Sequence, residues 1–175
     1  KASTESLVEL KPHFYCLEPH PYLSIGAPYG EDSNPWRLRS SVFRRLLMAQ
    51  KYLREINSEI CLAIFDAWRP IEVQQFMVEY SIKQQCDIRG IDQNDISKET
   101  EIHSIIEEVG RFWAKPTKNP TKPPPHSTGS AIDLTLARKS DGRPLNMGGE
   151  IDQLEEVSIP DFYAKASISC SEYQL

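Results

Sequence analysis

Apolar and polar positions along the chain alternate between two periods. From Arg37 to Asn57, Val42, Leu46, Ala49, Leu53 and Ile56 recur at three- and four-residue steps, with Arg44, Arg45, Lys51 and Arg54 mainly between them. That spacing predicts an amphipathic helix whose basic residues form a solvated face. Cys61-Leu62-Ala63-Ile64-Phe65 is an apolar run of strand length, ending in Asp66-Ala67-Trp68-Arg69-Pro70. Pro70 suits the first turn of a following helix, where a missing N–H costs nothing. Val73, Phe76, Met77 and Tyr80 then supply that helix's inner stripe. Asp87 to Asn94 is polar and predicts a loop. Ser97 is placed to cap a further helix with Ile102, Ile105, Ile106, Val109 and Trp113 as its buried side. His103 lies off that stripe, four residues before Glu107, and predicts a surface pair.

The stretch from Ala131 to Leu136 changes to a period of two. Ile132, Leu134 and Leu136 alternate with Ala131, Asp133 and Thr135, a strand with one apolar face and one small or polar face. Ser140-Asp141-Gly142 reads as a turn, after which residues 143–148 are expected to pair back as a second strand. Residues 150–163 are acidic and irregular, and Ser169–Leu175 has the look of a capped helix start. Before all this, Leu7–Leu10 predicts a short strand. Pro12, Pro19, Pro21, Pro28 and Pro35 then break up residues 1–36 into an irregular arm. His13 and His20 lie in that arm, where loop histidines are preferred over metal ligands. Strand and helix signals in this order predict an α+β fold: an antiparallel-rich sheet with helices packed on one side. At 175 residues, a single domain is expected over 1–175.

Composition removes several function classes. A formal charge of −5 gives no basic surface for nucleic acid. No run of about 18 apolar residues exists, so no membrane span is expected. The start has no signal-peptide apolar core, so the cytoplasm is expected; it also has no initiator Met, so the true N-terminus is expected to have been removed, and the periplasm is the alternative if the removed part was a signal peptide. Cys16, Cys61, Cys86 and Cys170 are widely spaced; two fall in predicted regular elements and read as small apolar residues, and neither a disulfide framework nor a cysteine zinc site is expected.

Chemistry concentrates at two points. His126 and Asp133 stand seven positions apart across Gly129, which allows a backbone bend. Asp133 lies on the strand face that need not be core, and His126 can swing back over it, so an imidazole nitrogen and a carboxylate oxygen would converge. Both are good zinc ligands. The plainer alternative is a loop histidine beside a strand-end aspartate. Arg69 sits at a strand-to-helix corner, where backbone N–H groups point outward; its plainer role is a pair with Asp66. Between the two, Lys115–Pro125 carries five prolines and predicts a stiff extended loop, either a cleft wall or a connector.

His126-Ser-Thr-Gly-Ser-Ala-Ile-Asp133-Leu-Thr-Leu136 closely resembles the signature of the D-alanyl-D-alanine dipeptidases, zinc peptidases of the vancomycin-resistance type. Their pattern, His-x-x-Gly-x-Ala-x-Asp, occurs more loosely in D-alanyl-D-alanine carboxypeptidases and hedgehog-like domains. Asp66-Ala-Trp-Arg-Pro70 is similar to the same family's Asp-x-Tyr/Trp-Arg-Pro. The resemblance implies one Zn2+ held by His126 and Asp133, Arg69 as the catalytic stabiliser of transition-state charge, and a small dipeptide substrate. It also implies a third ligand and a general base in a Glu-x-x-His motif. No histidine follows His126 here, so further sequence beyond residue 175 is expected; a natural or engineered fragment, or a protein that has lost catalysis, is the alternative. Carboxypeptidase action on longer muropeptides, a hedgehog-like binding module and a purely structural protein are the rival functions.

Overall fold

A computed structural model describes residues 5–30, 34–119, 121–150, 157, 162 and 163. The expectations for Cys170, for most of 150–163 and for the helix start at 169–175 lie outside the described residues. The elements are β1 (Leu7–Glu9), β2 (Tyr15–Cys16), α1 (Pro21–Ser24), β3 (Arg37–Arg39), α2 (Ser40–Ile56), β4 (Ile60–Asp66), α3 (Ile71–Ile88), α4 (Glu99–Val109) and β5 (Asp133–Arg138). The fold is α+β, as the order of patterns predicts.

β4 is the axis. Its seven residues are almost wholly buried, which explains a run with no polar alternation before Asp66. It pairs antiparallel with β5 along its length and parallel with the two residues of β2. The arm is therefore not wholly irregular: Tyr15 and Cys16 join the central sheet opposite Ala63 and Ile64, and Leu17 N–H extends the pairing to the Ile64 carbonyl. β1 and β3 form a separate antiparallel pair. Where β2 gives out, Leu62 N–H donates to the Gln50 side chain of α2 at 2.8 Å, so the buried amide takes the place of a strand partner.

The helix predicted from Arg37 begins three residues later, because Arg37–Arg39 pairs with β1 before the chain turns. Its inner face holds Leu46, with Val42 and Leu53 packed against Leu62 and Ile64; Ala49 and Ile56 are exposed and Gln50 is buried instead. Glu5 caps the helix from outside, accepting from Ser41 N–H at 2.9 Å. On α3, Val73 and Met77 meet Phe65 and Tyr22 in a second cluster. The helix runs through Asp87, which the sequence places in a loop: Ile91 N–H and Arg89 N–H bond back to Cys86, closing its end. Asp95, not Ser97, supplies the cap ahead of α4, and it caps a short 3-10 turn over Ile96–Lys98. Ile105 and Val109 are buried on α4, while His103 and Glu107 pair on the surface at 3.4 Å. Cys61 and Cys86 are buried and unbridged.

Past β5, the second strand reduces to one bridge, Ala137 with Pro144, plus Leu145 N–H to the Leu136 carbonyl, since proline has no N–H for the ladder. The apolar face of β5 is also only part core: Ile132 and Leu136 pack against the main cluster, but Leu134 is 41 % exposed.

The segment before β5 is held by backbone chemistry. His126–Thr128 forms a 3-10 turn, and Gly129 follows it at φ 73°, its N–H returning to the His126 carbonyl. Arg39 ties the turn to β3, donating from Nε to the Thr128 carbonyl at 2.8 Å and from its backbone N–H to the Gly129 carbonyl. A Cβ at Gly129 would collide with the Leu7 side chain as well as occupy a left-handed conformation. Gly129→Ala is thus expected to cost about 1–3 kcal/mol of stability, measured by urea denaturation.

Candidate active site

β4 and β5 do not stay in simple register. Ile64 faces Leu134, but the next pair is Asp66 with Asp133, so β4 carries one extra residue, Phe65, in a bulge. The bulge turns Asp66 toward Asp133 and sets two carboxylates opposite each other. Like charges directly across a ladder are unfavourable. Here two side chains bridge them.

Arg69 is the first bridge. Three residues beyond Asp66 and two before α3, it is 3 % exposed. It donates from Nε and Nη2 to Asp66 Oδ2 at 3.0 and 2.7 Å, and Nη2 also reaches Asp133 Oδ2 at 3.4 Å. Nη1 donates to Gln74 Oε1 at 2.8 Å. The rings of Tyr22 and Trp113, themselves neighbours at 6.1 Å, lie 4.9 and 5.0 Å from the guanidinium carbon. The plain pairing with Asp66 and the approach to His126 and Asp133 therefore hold together.

His126 is the second bridge. Its Nδ1 donates to the Ala67 carbonyl at 2.8 Å and lies 3.4 Å from Asp66 Oδ2. A carbonyl only accepts, so Nδ1 carries the proton. The opposite nitrogen, Nε2, faces Asp133 Oδ1 at 3.5 Å. The imidazole and carboxylate converge as their spacing suggests, with Asp133 38 % exposed.

Asp66 is the residue that sequence reasoning treated only as a partner for Arg69. Asp66, His126 and Asp133 each offer a ligand-type atom within 4.8 Å of one another. Asp66 is nevertheless fully buried and its lone pairs are committed. Oδ1 accepts from His20 Nε2 at 3.1 Å and Tyr29 Oη at 3.0 Å, while Oδ2 accepts twice from Arg69. A carboxylate has about four such positions. Asp66 thus orients the ligand-type groups, and His126 Nε2 with Asp133 forms the pair open to a cation. Its place at the head of Asp66-Ala-Trp-Arg-Pro70, three residues before the arginine, is the signal in the sequence; the bulge is not legible there. His20 was expected as a loop histidine, but it is buried against Asp66; His13 is exposed, edge-on to Phe43 at 5.3 Å.

Charge balance gives the cluster its chemistry. Two carboxylates against one guanidinium leave one negative charge over while the imidazole is neutral. Burial opposes a proton on His126, but the bond to Asp133 and the charges of Asp133 and Asp66 outweigh it, and its pKa is raised above the ordinary value. A cation at Nε2 would meet the same excess charge. Burial likewise opposes ionisation of Asp66, yet His20, Arg69 and His126 outweigh it and lower its pKa. Tyr29 is pushed the other way, by burial first and then by Asp66, so its hydroxyl remains a donor.

The class of protein is that of the peptidases: the family model described as D-ala-D-ala dipeptidase matches residues 16–173. The chain belongs to that D-ala-D-ala dipeptidase family. It is 42 % identical over 147 residues to the D-alanyl-D-alanine dipeptidase of a Synechocystis species, a match that covers 84 % of this chain. The chain spans 58 % of that relative's length.

Because Asp66 ionises more readily in the fold than in the unfolded chain, its contribution is complete above the unfolded pKa of about 3.9 and is lost as pH falls through the lower folded value. Asp66→Asn would leave Arg69 buried beside a neutral amide, at a cost of about 3–5 kcal/mol at pH 7. Urea denaturation from pH 7 down to pH 2 should show the difference between the two proteins narrowing below pH ~4.

Proposed function

We propose that the chain carries part of the active site of a zinc-dependent dipeptidase that hydrolyses D-alanyl-D-alanine in peptidoglycan metabolism. One observation carries this reading: His126 Nε2 and Asp133 Oδ1 face each other at 3.5 Å, beside a buried arginine, at the positions of the family's signature residues. The donor set fits the ion. In its neutral form His126 turns an unprotonated Nε2 outward because its Nδ1–H is held by the Ala67 carbonyl, the arrangement typical of ligating histidines. Asp133 is the partly exposed carboxylate, free of the crowding that commits Asp66. Zinc is a Lewis acid that makes water acidic near neutral pH.

The chain's own residues supply the rest. Asp66 and the Ala67 carbonyl keep the proton of His126 on Nδ1. Arg69 holds a fixed positive charge against Asp133, where it can face negative charge developing on a scissile carbonyl. Gln74 Oε1 and Tyr22 Oη accept from Nη1 and Nη2 at 2.8 and 3.3 Å and, with the neighbouring rings of Tyr22 and Trp113, hold the guanidinium in place. A groove of about 930 Å³ runs beside Asp133, lined by Leu134, Leu145 and Met147 among others, and offers room for a substrate. The third ligand and general base are assigned to a Glu-x-x-His of the whole protein. Among the described residues no helix is long and apolar enough to cross a membrane, and the proposed site of action is the cytoplasm.

The test is hydrolysis of free D-alanyl-D-alanine by the full-length protein, with metal analysis. About one zinc per chain is expected, and His126→Ala should remove both metal and activity. Arg69→Lys should keep the zinc and lower kcat by about 10²–10³, the usual cost of losing a positioned donor. Hydrolysis that persists in a metal-free preparation would sink the reading. Cleavage confined to longer muropeptides would replace it with a carboxypeptidase.

A further inference from the structure

His20 stands outside both signature motifs, yet it is 4 % exposed and in contact with Asp66. Its surroundings determine which nitrogen carries the proton. Tyr22 N–H and Leu23 N–H, at the start of α1, both donate to His20 Nδ1 at 3.2 and 3.4 Å. A nitrogen that accepts from backbone amides has its lone pair exposed, so the ring proton sits on Nε2. That N–H donates to Asp66 Oδ1 at 3.1 Å. Three rings enclose the imidazole: Tyr22, Tyr29 and Trp36, at 5.5, 5.2 and 4.7 Å between centroids. A flip would set a carbon against Asp66 and cost the bonds at both nitrogens.

The consequence reaches the site. Tyr29 and His20 together hold Oδ1 of Asp66, which leaves Oδ2 turned to Arg69 and His126. Without the His20 donor, Tyr29 alone holds Oδ1, the carboxylate plane is fixed from one side only, and the reference for both bridging side chains loosens. Resting on the proposed zinc site, we infer that His20 is a positioning residue: locked by the α1 amides as the Nε2–H tautomer, it sets the carboxylate plane of Asp66 and through it the orientation of His126 and Arg69. His20 touches neither the ligand pair nor a substrate on this geometry; it acts through Asp66.

Two substitutions divide the two halves of this role. Asn places an acceptor where His20 Nδ1 sits and keeps the cap of α1, but it cannot reach Asp66. Gln places an amide N–H where Nε2 sits and keeps the bond to Asp66, but gives up the cap. The full-length, zinc-loaded protein is the material. His20→Asn should lower kcat and zinc affinity by about 10–100-fold, the cost typical of removing a group that orients a ligand, with KM little changed. His20→Gln should retain both close to wild type, although its Tm falls with the lost cap. Nitrogen-15 spectra of the wild type should show His20 protonated at Nε2 and accepting at Nδ1. Equal losses of kcat and zinc affinity in the two variants would reduce His20 to packing and overturn the inference. So would wild-type behaviour of His20→Asn, or a proton on Nδ1. Should the wild type bind zinc and fail to hydrolyse the dipeptide, the dipeptidase reading alone falls; zinc affinity of the two variants and the His20 spectrum then decide the inference.

Discussion

The structure turns on two carboxylates that face each other across one strand pair. Asp66 and Asp133 would repel if nothing lay between them, and the bulge at Phe65 is what brings them opposite. Arg69 and His126 each touch both, so four side chains from a strand end, a helix start, a turn and a second strand form one closed electrostatic unit. Removing Asp66 or Arg69 leaves the other's buried charge without its closest counter-charge. The burial itself is not a strong source of stability, because desolvation takes back most of the Coulombic gain. It defines geometry: each group has one low-energy orientation, fixed before any ligand arrives.

That order is layered by exposure. Asp66 is fully buried and saturated with donors; Arg69 is nearly buried beside the rings of Tyr22 and Trp113; His126 is partly exposed; Asp133 is open at the edge. The inner members cannot exchange partners, and the outer two can. A shared ligand would therefore be taken by His126 and Asp133 without disturbing the support beneath them. Asp66 lies as near to the others as a ligand would, but proximity does not make it one: an oxygen that already accepts from a guanidinium or from an imidazole and a phenol has little left to offer a cation.

The distant parts of the fold serve this arrangement in specific ways. β2 brings the arm alongside β4, so His20 and Tyr29 arrive from residues far from the site motifs. β3 anchors the His126 turn through Arg39, and Gly129 lets the chain reverse into β5 while its backbone passes against Leu7. Gln74 links Arg69 to the Ala114 carbonyl, where the proline-rich loop begins. The loop thus starts and ends at the site, and its buried Pro124 directly precedes the Pro125–His126 turn.

The sequence by itself determined the class of fold, the two main strands and three long helices, and three residues of the cluster. It could do so because periodicity and short motifs are local: a strand ending in Asp-Ala-Trp-Arg-Pro leads into a helix whatever surrounds it, and His126 and Asp133 lie on one continuous segment with a glycine bend. Leu134 broke the alternation rule because no described element covers that part of the strand face, which pattern alone does not reveal. Only the tertiary structure decided the role of Asp66 and the presence of His20 and Tyr29. Asp66 reads as the end of a strand until a register shift, invisible in one strand's sequence, turns it toward its partner. His20 sits among prolines with no periodic context, and 46 residues separate it from Asp66. Which nitrogen it protonates, and therefore what it can give Asp66, depends on two backbone amides and three rings that only the folded chain assembles.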